Sequence, residues 1–188
     1  KILEQFFDVF IKHNQILMNK LEEKADGKVF DIFPLITAST MNSILETAMG
    51  CELKAEDFEY LDAVKELGYH VSNRFLTPWM QFELLYSFTA NKRETLKCAK
   101  IMHEFTTKII EGRRKQLAME KSQDLEHLDD DDVGLKKKMC LLDVLLQSTV
   151  GGKPLSNDDI QEEVDTFTFA GHDTTTNAIC FTLFVISK

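Results

Sequence analysis

The sequence predicts an all-α segment. Only three prolines and eight glycines occur in 188 residues, so few positions interrupt a helix. Apolar residues recur at three- and four-residue spacing along almost the whole chain, which is the period of an amphipathic α-helix. With 44% hydrophobic residues the chain can bury one sizeable core. We therefore expect one helical domain, or a part of one.

Two amphipathic helices are predicted at the start of the chain. The first extends from about Ile2 to Glu22, and residues 25–28 interrupt it. Its stripe consists of Leu3, Phe6, Phe7, Phe10, Ile11, Asn14 and Leu17. The second helix extends from about Ile32 to Gly50.

The middle of the chain shows two further helical stretches. One covers about Ala55 to Arg74, and Pro78 predicts a loop at residues 76–79 because proline disfavours helix at the residue before it. A short helix follows at about Met80 to Phe88. The middle of the chain is therefore helical apart from one loop.

A long helix is predicted after residue 90. Asn91 and Glu94 have the spacing of a capping box at its start, and we expect its end near Met119. Its predicted buried face consists of Leu96, Ala99, Met102, Phe105 and Ile109. Residues 122–138, with six carboxylates followed by Lys136 to Lys138, predict an exposed linker.

The last helix has a clear predicted start after the glycine turn at 151–152. Ser156 can cap the amide of Asp159, and acidic residues face the positive end of the helix dipole. The predicted buried stripe of this helix consists of Ile160, Val164, Phe167, Gly171, Thr174 and Ala178. This stripe passes through a small and polar patch, which is unusual for a core-facing surface.

The patch at residues 170–176 is the candidate functional segment. Ala170 and Gly171 remove side-chain bulk, and Asp173, Thr174 and Thr175 supply a carboxylate and hydroxyls one turn later. A mid-helix glycine costs about 1 kcal/mol relative to alanine, and threonine hydroxyls compete for backbone carbonyls. Such local weakness often marks function. From spacing alone, a close helix crossing with ordinary polar filler explains the patch equally well.

Composition excludes some function classes. The net charge of -9 argues against a nucleic-acid surface. Four widely spaced cysteines indicate reduced thiols rather than a disulfide framework or a zinc site. A metal-dependent hydrolase built on His172 and Asp173 would need His70, His103 or His127 as a further ligand, and none has a supporting spacing.

The motif Ala170-Gly171-His172-Asp173-Thr174-Thr175 resembles the long central helix of cytochromes P-450. The preceding residues 162–169, the stretches Glu46 to Gly50 and Leu141 to Leu146, and the acidic linker resemble the family-four branch, which contains animal fatty-acid omega-hydroxylases. The resemblance covers nearly the whole chain. It implies that residues 1–188 are the central helical part of the mainly-α cytochrome P-450 fold. The N-terminal anchor, later helices and haem-cysteine loop are then expected outside this segment.

The resemblance also implies a function. The intact protein is expected to be a haem-thiolate monooxygenase that inserts one oxygen atom of O₂ into a lipophilic substrate, a fatty acid or a xenobiotic-like molecule. Asp173 and Thr174 are the implied proton relay for cleavage of the O–O bond. The implied cofactor contacts are Ala170, Gly171, Thr174 and Thr175.

The cofactor is expected to be haem b without a covalent link, because Ala170 replaces a glutamate that many family-four members join to haem. No residue here is expected to ligate the iron, since none of the four cysteines fits the ligand loop, and the segment alone should be inactive. Electrons are expected from NADPH through an NADPH-cytochrome reductase. The intact protein is expected on the cytosolic face of the endoplasmic reticulum membrane. The alternative is a non-catalytic helical scaffold or a truncated product.

Overall fold

The computed structural model describes residue 4 and residues 6–52, 57–126 and 139–188. The predicted helix starts at Ile2 and Ala55, together with Leu3, lie outside the described residues. So do His127 and most of the predicted linker, residues 127–138. The chain divides into two compact units, residues 1–53 with 109–188, and residues 54–108.

Apart from one short hairpin, all regular secondary structure in the described part of the chain is helical, so the all-α prediction is confirmed. The helices are α1 (Phe7–Glu23), α2 (Phe33–Ile44), α3 (Phe58–Leu76), α4 (Glu83–Ser87), α5 (Ala90–Glu126), α6 (Leu141–Gln147) and α7 (Asn157–Ile186). The hairpin pairs β1 (Thr149–Val150) with β2 (Lys153–Pro154) in antiparallel register.

The second predicted helix does not remain α-helical to its end. After Ile44 the backbone widens into a π-helical turn, Leu45–Met49, and stops at Gly50. Gly50 has φ +68°, a left-handed conformation that closes many helices because glycine adopts it without a Cβ clash. The predicted loop at residues 76–79 is also partly helical, since Pro78–Gln81 forms a 3₁₀ turn.

The predicted capping box of the long helix is wrong. Helix α5 begins at Ala90, and the Thr89 hydroxyl accepts the amide of Lys92 at 3.2 Å. Asn91 lies inside the first turn, is buried, and donates from its side chain to the His70 carbonyl at 3.2 Å. A threonine two residues before the predicted cap therefore does the capping.

Helix α5 is also longer than predicted. It continues past Met119 to Glu126 and so overlaps the first residues of the predicted linker. Its buried face includes Met102 and Phe105 as predicted, whereas Leu96 is 56% exposed.

The unit of residues 54–108 has an aromatic core. The rings of Tyr60 and Phe105 lie 4.0 Å apart between centroids, and both side chains are buried. Tyr86 on α4 is also buried, and its hydroxyl donates to Asn91 Oδ1 at 3.3 Å. Large exposed side chains also occur in this unit: Tyr69, Val71, Phe75, Leu76, Trp79, Phe82, Leu84, Leu85, Phe88 and Leu96.

The other unit, residues 1–53 with 109–188, is built around α2 and α7. Its apolar core consists of Ile36, Met41, Leu45, Met49, Ile110, Cys140, Leu142, Ile160 and Val164. The first predicted stripe is only partly right, because Phe7, Phe10, Ile11 and Asn14 are exposed. The buried residue of α1 is instead His13, whose Nε2 lies 2.7 Å from Glu46 Oε2.

Candidate functional site

The helix that carries the candidate segment begins as predicted. The Ser156 hydroxyl accepts the amide of Asp159 at 3.1 Å, and Asp159 Oδ2 accepts the amide of Ser156 at 3.0 Å. These reciprocal bonds satisfy two amides that a helix start would leave unpaired. They also hold the pKa of the Asp159 carboxyl below its ordinary value, mainly through the Ser156 hydroxyl.

The predicted buried stripe of α7 is only partly correct. The buried residues are Ile160, Val164, Thr168, His172 and Thr176. Phe167 is 46% exposed, and Thr174 and Ala178 are exposed as well. Three of the five buried residues of α7 are therefore polar, and none of these three belongs to the predicted stripe.

Two of those three polar side chains have hydrogen-bond partners inside the unit. Thr176 Oγ1 lies 2.6 Å from Thr40 Oγ1 on α2, and His172 Nδ1 lies 2.9 Å from the Thr168 carbonyl. Because a carbonyl only accepts, the neutral ring carries its proton on Nδ1. Burial is the main cause that lowers the pKa of His172 below its ordinary value. The ring is therefore a neutral core residue.

Ala170 and Thr174 lie on the exposed side of α7, one turn apart. Phe167 and Phe181 flank them at helical spacing and are also exposed, and we call these four residues the open face. The Thr174 hydroxyl donates to the Ala170 carbonyl at 2.8 Å. Since this bond uses the only hydroxyl proton, both lone pairs of Thr174 Oγ1 remain able to accept.

Asp173 is half-buried and does not lie directly beside Thr174. Consecutive side chains on an α-helix point about 100° apart, and the Thr174 hydroxyl is bonded to Ala170 rather than to this carboxylate. The Asp173 carbonyl accepts the side-chain amide of Asn177 at 2.8 Å. The two predicted relay residues are therefore neighbours without a direct bond.

Gly171 and Thr175 lie toward α2 instead of on the open face. A Cβ on Gly171 would stand 2.9 Å from both Cδ1 and Cγ1 of Ile44. The Thr175 hydroxyl donates to the Gly171 carbonyl at 2.8 Å. The glycine therefore makes room for α2 where the sequence suggested a groove for a ligand.

A cavity of about 430 Å³ lies between α1, α2 and α7 on this side. Its lining consists of Phe10, Asn14, Leu17, Ser39, Thr40, Ser43, Ile44, Thr47, Gly171, Thr175 and Ile179. The four predicted cofactor residues thus fall on two sides of α7, with Ala170 and Thr174 on one and Gly171 and Thr175 on the other. That Gly171 and Thr175 contact the cofactor stays a prediction, and the geometry of these two residues does not add support to it.

Sequence reasoning missed Thr40 and Ile44, two α2 residues that meet the candidate segment. They lie more than 120 positions from their α7 partners, and no local pattern links residues at that separation. Their only sequence signal is that a hydroxyl and a branched apolar side chain, one turn apart, share a face of α2.

None of the four cysteines, all of which lie in the described residues, forms a disulfide. Burial is the main cause that raises the pKa values of Cys98, Cys140 and Cys180, so these groups stay protonated thiols. Within residues 6–52, 57–126 and 139–188, no group of three or more histidine, cysteine or acidic side chains is arranged to hold a metal ion. None of the described helices combines the length and the apolar content needed to cross a membrane.

Comparison with known proteins agrees with the helical architecture. The chain resembles the solved structure titled "Crystal structure of cytochrome P450DA heme domain" with a TM-score of 0.67, at 22% identity, over 98% of this chain and 36% of that one. A mutant of the same heme domain gives a TM-score of 0.66 over 96% of this chain and 35% of that one. At this identity the likeness shows the fold.

Curated relatives are closer in sequence. Cytochrome P450 4d8 of Drosophila melanogaster is 45% identical over the whole chain, and cytochrome P450 4d2 of the same species is 40% identical. Cytochrome P450 4d1 of Drosophila simulans is 44% identical. The chain spans 41%, 39% and 38% of the lengths of these relatives. Their names all belong to the family-four branch. The sequence profile described as "Cytochrome P450" matches residues 1–188, and the chain therefore belongs to the cytochrome P450 family.

Proposed function

We propose that the intact protein is a haem-thiolate monooxygenase of the family-four branch, and that the open face of α7 is its oxygen-side surface. The observation that carries the proposal is the bond from the Thr174 hydroxyl to the Ala170 carbonyl at 2.8 Å on that face. It fixes the hydroxyl oxygen as an acceptor beside the smallest side chain of the face.

The open face suits one side of a flat macrocycle. Ala170 extends only one carbon from the helix, and the exposed ring of Phe167 supplies apolar surface one turn earlier. Ala170 and Thr174 are the residues we propose to contact haem b, which Ala170 cannot bind covalently. Haem, when bound, supplies the chemistry that activates O₂ and inserts one of its oxygen atoms into the substrate.

The protein contributes proton handling at two atoms. Thr174 Oγ1 can accept a hydrogen bond on the open face, because its own proton is held by the Ala170 carbonyl. To deliver a proton, the hydroxyl must release this carbonyl and pass its proton on, and the half-buried Asp173 carboxyl, one residue earlier, then replaces that proton with one that it takes from water. Proton delivery of this kind typically contributes about 10²- to 10⁴-fold in rate.

The axial thiolate is proposed to come from sequence outside residues 1–188, because none of the four cysteines fits the ligand loop that the family resemblance implies. The resemblance to the family-four branch implies a lipophilic substrate, with fatty acids as the first class to test. We further propose that an NADPH-cytochrome reductase donates the electrons. The proposed location of the intact protein is the cytosolic face of the endoplasmic reticulum membrane.

The test uses the full-length protein with a reductase, NADPH and a saturated fatty acid. We expect Thr174→Ala to lower product formed per NADPH and to raise hydrogen peroxide, with Thr174→Ser restoring the wild-type ratio. Thr182→Ala is the matched control, because the Thr182 hydroxyl makes the same kind of bond to the Ala178 carbonyl at 2.7 Å. An unchanged product yield in Thr174→Ala without extra peroxide would refute the relay. Failure of the wild-type protein to give a haem-thiolate spectrum would refute the monooxygenase.

A further inference from the structure

Helices α2 and α7 approach each other most closely where Ile44 meets Gly171. The position of an ideal Cβ on Gly171 is 2.9 Å from Cδ1 and Cγ1 of Ile44 and 3.7 Å from its Cβ. Ordinary carbon–carbon contacts lie at about 3.5–4.0 Å. The Ile44 side chain therefore occupies space that a side chain at position 171 would need.

Ile44 is anchored through its backbone, although its side chain also lines the cavity. It is the last residue of α2, and the next residue, Leu45, is 1% exposed and begins the π-helical turn. One turn before Ile44, the buried Thr40 hydroxyl is 2.6 Å from that of Thr176 on α7. This bond joins the two helices one turn away from the contact.

Gly171 belongs to the same helical turn as Ala170 and Thr174. A shift of α7 at Gly171 therefore moves the Ala170 carbonyl and the hydroxyl bonded to it. We infer that Ile44 is a positioning residue: by filling the gap at Gly171 it sets the distance between α2 and α7, and thereby the place of the Thr174 hydroxyl on the open face. This inference rests on the proposed function of Thr174.

The expected effect is large enough to measure. A Cβ at position 171 would have to move by roughly 0.6–1 Å to reach an ordinary contact with Ile44. A displacement of about 1 Å at a reacting group can cost about 10²-fold in rate. Ile44 is half-buried, lines the cavity beside α7 and does not belong to the open face, so such an effect would pass through the position of α7.

The experiment compares Gly171→Ala, Ile44→Ala and the double variant in the full-length protein with reductase, NADPH and a saturated fatty acid. We expect Gly171→Ala to lower product per NADPH by about tenfold or more and to change the spin-state shift that substrate induces in the haem spectrum. The double variant should recover most of the product yield and most of the normal spin-state shift, because Ile44→Ala removes the two atoms that clash.

Two controls separate positioning from stability. Gly112→Ala makes the same exchange in α5, where a new Cβ meets nothing within 4 Å, and should leave the product yield unchanged. Thr176→Val removes the bond to Thr40 at the same helix interface without adding bulk. It should lower the melting temperature but not the product yield.

Wild-type yield in Gly171→Ala, or no recovery in the double variant at normal haem content, would overturn the inference. If Gly171→Ala yields no haem protein, the Ile44→Val variant tests the inference instead. We expect this variant to give less product per NADPH at unchanged haem content. An unchanged product yield would overturn the inference. An inactive wild type, or a normal yield in Thr174→Ala, refutes the proposed function itself, and the inference falls with it.

Discussion

Arg113 holds the carboxylate of Asp143 through two parallel hydrogen bonds, Nε to Oδ1 at 2.6 Å and Nη2 to Oδ2 at 2.8 Å. Asp143 is 2% exposed, and its Oδ2 also accepts the amide of Cys140 at 3.2 Å, which caps α6. Planar, two-pronged pairing is the strongest form of an ion pair between side chains. This pair joins the end of α5 to the start of α6 within one unit.

Removing one partner of this pair should destabilise the protein strongly. We expect Asp143→Ala to cost about 3–5 kcal/mol, because Arg113 is left with a poorly compensated, half-buried charge. The melting temperature of the full-length protein, followed by circular dichroism, measures the change. Arg114→Gln is the control, since Arg114 makes an exposed bond to Asn157 and should cost within about 0.5 kcal/mol. Equal melting temperatures for the two variants would contradict the prediction.

The same pair predicts a loss of stability in acid. Burial acts to raise the pKa of Asp143, but the hydrogen bonds from Arg113 and Cys140 outweigh it, and the pKa lies below its ordinary value. The unfolded chain therefore binds the proton more readily, and the stabilisation is complete above the ordinary aspartate pKa of about 3.9. It is lost as the pH falls through the lower, folded value. Asp143→Asn should flatten this part of the curve of melting temperature against pH.

Gly50 should tolerate substitution poorly for two separate reasons. Its φ of +68° is left-handed, and a Cβ would stand 3.3 Å from Cys140 Sγ. We expect Gly50→Ala to lower stability by about 1–2 kcal/mol through the backbone alone, with the contact adding to it. Gly27→Ala is the matched control, because Gly27 has φ +81° and nothing within 4 Å. A smaller loss at Gly50 than at Gly27 would show that the Cys140 contact is harmless.

The cap of α7 should contribute measurable stability. Ser156→Ala removes the acceptor of the Asp159 amide and should cost about 1 kcal/mol. Ser187→Ala at the other end of the helix removes an exposed hydroxyl bond to the Phe184 carbonyl and should cost much less. Both are measured as shifts in melting temperature, and indistinguishable shifts would argue against the capping role.

The buried His172 predicts a further pH dependence. Its folded pKa lies below the ordinary value, so the unfolded chain binds more protons near and below pH of about 6.5. Stability due to this residue should therefore fall as the pH drops through that window. In the full-length protein, the difference between wild type and His172→Leu isolates the effect, because the other histidines are present in both. A difference that does not change with pH would contradict the burial of a neutral ring.

Ala170 offers a test of the alignment with family-four relatives. Because its side chain lies on the open face, Ala170→Glu in the full-length protein should place a carboxyl beside the bound haem and allow an ester to form. We expect part of the haem to remain attached to protein after acid and organic solvent, whereas wild type should release all of it. No acid-stable haem in the variant would place the alignment of residue 170 in doubt.

Local sequence patterns predicted the helices well and their faces less well. The capping pair at Ser156 and Asp159 was correct because both partners lie within one turn, where chemistry and spacing suffice. The cap of α5 was assigned to Asn91, which is instead used by the distant His70 carbonyl. A side chain with a tertiary partner cannot be recognised from its neighbours in sequence.

The candidate site shows the same limit. The site that the family motif assigns to this turn of α7 stays a prediction, whereas apolar spacing placed Phe167 and Thr174 in the core, where the structure has Thr168 and His172. Polar residues can be core residues when α2 or the helix itself supplies their partners, as Thr40 does for Thr176. The role of Gly171 depended on Ile44, which only the fold brings near it.

The middle of α7 carries one more consequence. The carbonyls of Thr168, Ala170, Gly171 and Asp173 each accept a side-chain donor four residues later, in addition to their place in the helical ladder. A shared acceptor weakens each of its two bonds and tends to bend a helix. Backbone amide protons in this stretch should therefore exchange with deuterated solvent earlier than those nearer the Ser156 cap, giving α7 a compliant centre behind a firm first turn.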